Sequence, residues 1–499
     1  MSKNWKLLFF SALILIGFAG CQDPWEEHDK INADVTGDNL MELISSRPEL
    51  SAFADYLHET GMDSVITSNR TYTVWAPNND ALSALDNAIV NDPVKLKQFV
   101  ENHISLTLYS YFDAQPEGRI KTLSGKTITL NYLDGKVDDA GLIKPLDVPA
   151  KNGILHIIDK PLIPKMNIWE FIQTTDLCKA HTDYINSLTG EIFNPNVARQ
   201  TGYDPLTFEP VYDTVTGIVW SNPVLAYIRD LSDEDSLSTV FLVTDDVFQQ
   251  EFDKFRKYYT VKNDDAKTDS ITHWNVAKDY IFRGRYDRNS ILDTLISMFN
   301  VKVPFNKYAI DSAYSASNGM VYILHDCPVA LPDKIQPIIL QGEDTTNFVI
   351  ADISGQTGYM RKNPNASGGY DFILDNHRAN PGGIVFHVGN IASTRYKFYI
   401  RAIDDFNYSY RFPNTTDTIK ERIGSVMPAI IDGEQGFTSP SPFTNDYIAV
   451  TDTSYHTTSE MPAGSPLFFS YSDLWIELVG SGNNTTVAVD YIKLVPVFE

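Results

Sequence analysis

Side chains able to do chemistry are spread unevenly along this 499-residue chain. The densest group is Asp404-Asp405-Phe406-Asn407-Tyr408-Ser409-Tyr410-Arg411, which sets aromatic rings beside amide, carboxylate and guanidinium groups. That combination suits a sugar: flat rings meet its C–H-rich faces, and polar groups meet its hydroxyls. Trp475 alternates with Leu474 and Ile476 and offers one more ring, to a ligand or equally to a core or sheet face. His103 falls in a helical pattern and reads as a half-buried histidine bonded to a neighbouring carbonyl. His156 reads as core or sheet surface, and neither histidine has companions at a metal-ligand spacing. Asp230, Asp233, Glu234 and Asp235 lack the glycine and glutamate of an EF-hand loop and read as a solvated turn. No Gly-x-Ser-x-Gly, His-Glu-x-x-His or glycine-rich phosphate loop occurs. The 64 acidic residues still guarantee some carboxylate pairs, so a glycosidase dyad is not excluded by counting. Against 40 lysines and arginines they leave a net charge of -24, a field that repels nucleic-acid phosphates and anionic head groups.

A different chemistry is written at the start. Lys3 and Lys6 precede an uncharged apolar run, Leu7 to Phe18, the length of a secretory h-region and too short to span a bilayer. It ends on Phe18-Ala19-Gly20-Cys21, which resembles a bacterial lipobox. The resemblance implies removal of residues 1–20 and diacylation of the Cys21 sulfur; a diacylglyceryl group plus an N-acyl chain is more than the two-signal minimum for stable anchoring. An ordinary signal peptide with an incidental cysteine is the plainer alternative. Residues 21–34, opening Gln22-Asp23-Pro24-Trp25-Glu26-Glu27-His28-Asp29, form an acidic tether. It is similar to the export signal of Bacteroidota lipoproteins, which implies the outer face of the outer membrane; a solvated linker also fits. No later stretch approaches the ~18 apolar residues a membrane helix needs.

The elements that must position these groups are announced by a repeat. Thr73-Val74-Trp75-Ala76-Pro77-Asn78-Asn79-Asp80-Ala81-Leu82 aligns with Thr239-Val240-Phe241-Leu242-Val243-Thr244-Asp245-Asp246-Val247-Phe248. Asn152-Gly153-Ile154-Leu155-His156-Ile157-Ile158 aligns with Asn318-Gly319-Met320-Val321-Tyr322-Ile323-Leu324, and both offsets are 166 residues. The first motif predicts a strand running into a capped helix, because short polar side chains can accept hydrogen bonds from the free amides of its first turn. The second predicts an Asn-Gly hairpin. Between them, Leu96 to Ile104 and Trp274 to Ile281 carry helical periodicity, and amphipathic helices are expected over Asn39–Thr60 and Ile168–Leu188.

Thr-Val-Trp-Ala-Pro-Asn-Asn-Asp-Ala-Leu and Asn-Gly-Ile-Leu-His-Ile-Ile-Asp resemble the two signatures of the fasciclin domain. The resemblance implies a β-sheet wedge with packed helices, used in secreted adhesion proteins and usually without a catalytic centre. The first copy spans 35–165. The second, 166–333, has Leu-Val in place of Ala-Pro and Tyr322 in place of His156. It also carries an aromatic-rich insertion, Gly190 to Pro223, and a charged one, Lys254 to Asp269. The first insertion holds Phe193, Tyr203, Phe208, Tyr212 and Trp220, which could form a binding platform or fold back to cap the domain. His103 stands where the family often has a Tyr-His or Asn-His pair linked to adhesion. Cys178 and Cys327 lie in the second copy; a disulfide is open to them in an oxidising compartment, and two buried thiols explain the sequence as well.

From Pro337 the period changes to two, with expected strands at Phe348–Asp352, Tyr370–Leu374, Gly383–Val388, Tyr396–Ile403, Leu467–Val479 and Thr485–Pro496. Residues 340–499 therefore read as a β-sandwich, a jelly roll. Val487 to Val497 and Tyr396 to Ala402 are similar to strands of galactose-binding-like carbohydrate-binding modules. In such modules an early acidic residue and an Asp on the last strand share a structural Ca²⁺, which implies Glu343 and Asp490 here; ordinary surface carboxylates fit as well.

The whole reads as an α+β chain: two tandem fasciclin-like domains, then an all-β sandwich. The expected function is a non-catalytic surface lipoprotein that binds polysaccharide or glycan, as an accessory to outer-membrane uptake with SusC/SusD-like partners and no nucleic acid. Protein-mediated adhesion through the fasciclin pair is the alternative, and a glycan-active hydrolase the third. No cofactor is expected beyond that structural Ca²⁺.

Overall fold

The computed structural model describes residues 37–498 except 112–116, 132, 204–209, 262, 352–354, 365, 378–382, 405–427, 432–433, 439–445, 452–471 and 479–484. Cys21, the tether and the segment Phe406–Arg411 lie outside the described residues. The chain divides into two compact units, one ending at Asn167 and the other running from Ile168. No helix among the described residues is long and apolar enough to cross a membrane.

In the first unit the strand Tyr72–Pro77 is buried at every position, as its β-branched and aromatic residues demand. It pairs in parallel with Gly153–Ile158, Tyr72 opposite Gly153 and Pro77 opposite Ile158. These two lie near one end of a seven-stranded sheet that also holds Ala140–Ala150 and the ribbon Glu117–Lys121/Thr127–Asn131. One core packs Leu40, Phe53, Leu57 and Phe99 of the helices against Val74 and Leu155. A second core gathers Trp75, Ile120, Ile128, Leu130 and Ile158. The helix expected over Asn39–Thr60 is two helices, Leu40–Ser45 and Ser51–Glu59. The break sits at Arg47, held extended before Pro48, because the proline ring disfavours helical backbone in the residue it follows. Asn39 and Glu42 form a reciprocal capping box at the first start, and the Asn78 side chain accepts from Ala81 N at 2.8 Å.

The second unit opens with the same plan. Ser238–Val243 pairs in parallel with Gly319–Leu324, Ser238 opposite Gly319, which reproduces the first register at the 166-residue offset. Its sheet has four strands, ordered Ile281–Arg283, Ser238–Val243, Gly319–Leu324, Ile310–Ala316. The helix expected over Ile168–Leu188 divides into Ile168–Thr174 and Lys179–Ser187, with Cys178 left-handed (φ 53°) between them. Much of the charged insertion is helical: Asp245–Arg256 and Asp265–Ala277 are joined by Arg256, whose guanidinium meets Asp269 at 2.6 Å and Asp265 at 3.1 Å. The aromatic insertion is not a folded-back loop. It makes two antiparallel ribbons, Gly190–Phe193 with Ile218–Ser221 and Gln200–Tyr203 with Pro210–Tyr212.

Beyond it, strands from Ile338 to Val497 form sheets of four, five and three strands around Phe348, Phe372 and Phe386. The last expected strand is two, Thr485–Val489 and Tyr491–Val497, which belong to different sheets. Asp490 is the point of transfer. The boundary expected between 333 and 340 is bridged: Ser393 N donates to Tyr258 O at 2.7 Å, Ser393 Oγ to Thr260 O at 2.9 Å, and Phe498 packs edge-on to Tyr258.

Candidate functional site

His103 follows the helix Pro93–Glu101, whose start is capped by Asp92. It is fully buried, more enclosed than its helical position alone predicts. Nδ1–H donates to Phe99 O at 2.8 Å, and Nε2 accepts from Leu162 N at 2.9 Å, a partner set met by the neutral imidazole. Phe53 and Phe99 rings flank it. Burial lowers its pKa to about 4. A partner molecule cannot touch this ring in the folded domain. His156 is equally enclosed, with Nδ1 2.6 Å from Leu146 O and Nε2 2.9 Å from Tyr109 O, and it stacks on Trp75. In the second unit Tyr322 replaces it and donates to Tyr286 O at 2.8 Å, so a hydroxyl does the work of an imidazole.

Cys178 and Cys327 are free thiols. Burial, with Asp245 adding to it, pushes Cys178 up to about 12, and Cys327 is raised further by burial. Both stay protonated and unreactive at neutral pH. Cys327 also lines a cavity of about 340 Å³ at the start of the helix Asp245–Arg256, with Thr244, Asp246, Glu251, His325 and Asp326. Its carboxylate Glu251 is engaged by Lys254 and Val329 N, and His325 by Asp311. Among the described residues, none of His103, Glu343 and Asp490 lines this cavity.

Glu343 and Asp490 do share a neighbourhood. Gly342 N donates to Asp490 O at 2.7 Å, and Ser367 Oγ bonds both Asp490 Oδ1 and Gln341 Oε1 at 2.8 Å. A Cβ on Gly368 would sit 1.9 Å from Glu343 Oε1, so only glycine leaves the carboxylate its place. Glu343 Oε2 is buried with no hydrogen-bond partner. These hard oxygens fit a calcium ion in kind. Among the described residues no three His, Cys, Asp or Glu side chains group as a metal site, so carbonyl, amide and hydroxyl oxygens would have to complete it.

Trp475 and Asp404 fall on separate sheets. Trp475 lies on Ser472–Leu478, opposite His387 in the five-stranded sheet. Asp404, which leads into Phe406–Arg411, ends a strand of the four-stranded sheet and faces Asp446. Sequence proximity had suggested neither arrangement.

Comparison with known proteins bears most directly on the first unit. Residues 48–164 match the family model "Fasciclin domain". This chain is 27% identical over 142 residues to transforming growth factor-beta-induced protein ig-h3 of Sus scrofa, covering 27% of this chain and 21% of that one. It is 28% identical over 141 residues to periostin of Homo sapiens, covering 26% and 16%. Against protein sll1483 of Synechocystis it is 25% identical over 134 residues, covering 26% and 74%. The chain thus spans about a fifth of the length of ig-h3. Among solved structures, the FAS1 domain pair of the insect cell adhesion molecule fasciclin I aligns with 57% of this chain and 99% of its own at 13% identity and a TM-score of 0.22. A family 35 carbohydrate binding module from Clostridium thermocellum aligns with 32% and 98% at 11% identity and a TM-score of 0.21. Scores of this size leave the architecture resting on the strand order itself.

Proposed function

We propose that this chain is a non-catalytic, lipid-anchored protein of the bacterial outer surface that binds a glycan through its C-terminal sandwich. Its two wedges, the fasciclin segment and a second copy at 166–333, serve as the mount. What carries the reading is where the chemistry has been used up. The wedge histidines His103 and His156, the carboxylate Asp279 and the thiol Cys327 are buried and committed to internal bonds. The sandwich end carries in its sequence an adjacent set of rings, amide and guanidinium, Phe406, Asn407, Tyr408, Tyr410 and Arg411, with Trp475 as a further candidate. Cys21 would hold the chain to the membrane, and SusC/SusD-like proteins would be its partners in uptake. A calcium ion between Glu343 and Asp490 would brace the sheet-to-sheet transfer. Titration calorimetry of the full chain with neutral polysaccharides tests this: heat of binding is expected, weakened about tenfold by Tyr410→Ala. No heat with any of them refutes it.

One observation favours the second reading, adhesion to a protein. Leu106 and Leu108 are about half exposed in the first wedge, on either side of Thr107, whose carbonyl is held by Thr73 Oγ1 at 2.8 Å. Loss of matrix attachment on Leu106→Ser/Leu108→Ser, with glycan binding intact, would shift the function to the wedge.

A further inference from the structure

The ribbon Gly190–Phe193/Ile218–Ser221 has no counterpart among the described residues of the first unit and presents a largely exposed face. Trp220 lies directly opposite Glu191, and Ile218 opposite Phe193. Side chains alternate along strands, so these four share one side of the ribbon, with directly opposed Cβ atoms about 5 Å apart. Trp220 is 74% exposed and Ile218 46%, and Glu191 is open to water beside them. An indole held in solvent next to a lone carboxylate contributes little to a ribbon, which gains more from rings packed on rings.

The mount beneath this face is firm. Phe193 closes over Gly217, where a Cβ would come within 2.3 Å of the ring. Tyr227 donates its hydroxyl proton to Phe193 O, and the Asn222 amide donates to Ile185 O at 2.7 Å and Thr189 Oγ1 at 3.0 Å. The Trp220 strand is thereby anchored to the helix Lys179–Ser187 and does not swing as a loose loop.

We propose that this face is a second glycan contact, in which Trp220 stacks on a pyranose ring and Glu191 accepts hydrogen bonds from its hydroxyls. The ligand class is a neutral polysaccharide. Acidic chains are disfavoured by Glu191 and by the net charge of -24. A basic protein segment drawn to Glu191 and to the indole face is the other occupant, which the test below separates. Donor and acceptor groups side by side instead suit hydroxyls, which both give and take hydrogen bonds. The inference rests on the glycan reading above and adds to it a second contact, on residues 190–221.

Affinity electrophoresis of the full chain in gels holding laminarin, mannan, xylan or polygalacturonate separates the outcomes. At least one neutral polymer is expected to retard the protein, with Trp220→Ala weakening the apparent affinity about tenfold and Glu191→Gln about threefold. Circular dichroism should be unchanged, since the indole is exposed. If Trp220→Ala runs like the parent in every gel while Tyr410→Ala loses retardation, the second contact is wrong and the glycan reading stands. If no neutral polymer retards the parent, both are wrong. Salt-sensitive capture by immobilised polylysine, lost in Glu191→Gln, would assign the face to a basic protein instead.

Discussion

At the scale of residues, the wedge histidine shows most clearly how burial decides chemistry. His103 has a folded-state pKa of about 4, set by desolvation, against 6.5 when exposed. The unfolded chain therefore takes up a proton below pH 6.5 that the folded chain refuses until about 4. Stability is unaffected above that window and falls within it as the pH drops, by about 3 kcal/mol in all. His103→Gln should flatten this part of the profile, which urea titrations at pH 7 and pH 4.5 would show. The sequence exposed the histidine and its carbonyl partner, but not its depth, because Leu162 and Phe53 that enclose it come from distant segments. Asp490 was legible as a carboxylate near the end of the chain. Its position between two sheets was not, since the alternating residues run through it without interruption.

At the scale of elements, the repeat was readable because its key positions have steric and hydrogen-bonding jobs few residues can fill. Gly153 and Gly319 pass so close to the preceding strand that a Cβ would lie 1.9 Å from Tyr72 O and 1.8 Å from Ser238 O. The neighbouring asparagines clamp each of the two parallel strand pairs to the helix or loop beside it. The Asn152 side chain takes Leu40 N at 2.9 Å and gives to Ile66 O; Asn318 takes Ile168 N at 2.9 Å and gives to Leu231 O at 2.8 Å and Asp233 O at 3.0 Å. Asn318→Ala leaves these groups buried and unsatisfied and should cost about 3 kcal/mol, read as a lowered urea midpoint with unchanged slope. What the sequence hid are elements whose pattern is broken by punctuation. The aromatic insertion, crowded with Pro, Gly and Asn, folds as ribbons of three and four residues a strand, too short for a period of two to register. The strands Ile338–Gln341, Thr357–Lys362 and Asp446–Thr451 are further elements that the sequence reading does not contain.

At the scale of the whole molecule, the sequence marked the change of period near Pro337 but not what crosses it. Ala392 and Phe498 of the later β-rich part join the core that holds Phe241, Tyr258 and Tyr322. Residues 168–499 should therefore unfold together, and Phe498→Ala should lower that single calorimetric transition by about 1–2 kcal/mol of stability. Two separated transitions from this unit would contradict the shared core. The same coupling means that ligand binding is best measured on the full chain, where the sandwich keeps its support. The most direct measurement is pull-down of the purified full chain by insoluble neutral polysaccharide, with free oligosaccharide as competitor. The protein should sediment with at least one polymer and be released by its own oligosaccharide. Protein left wholly in the supernatant with every polymer, yet adhering to surfaces coated with matrix protein, would contradict glycan binding and leave adhesion as the function.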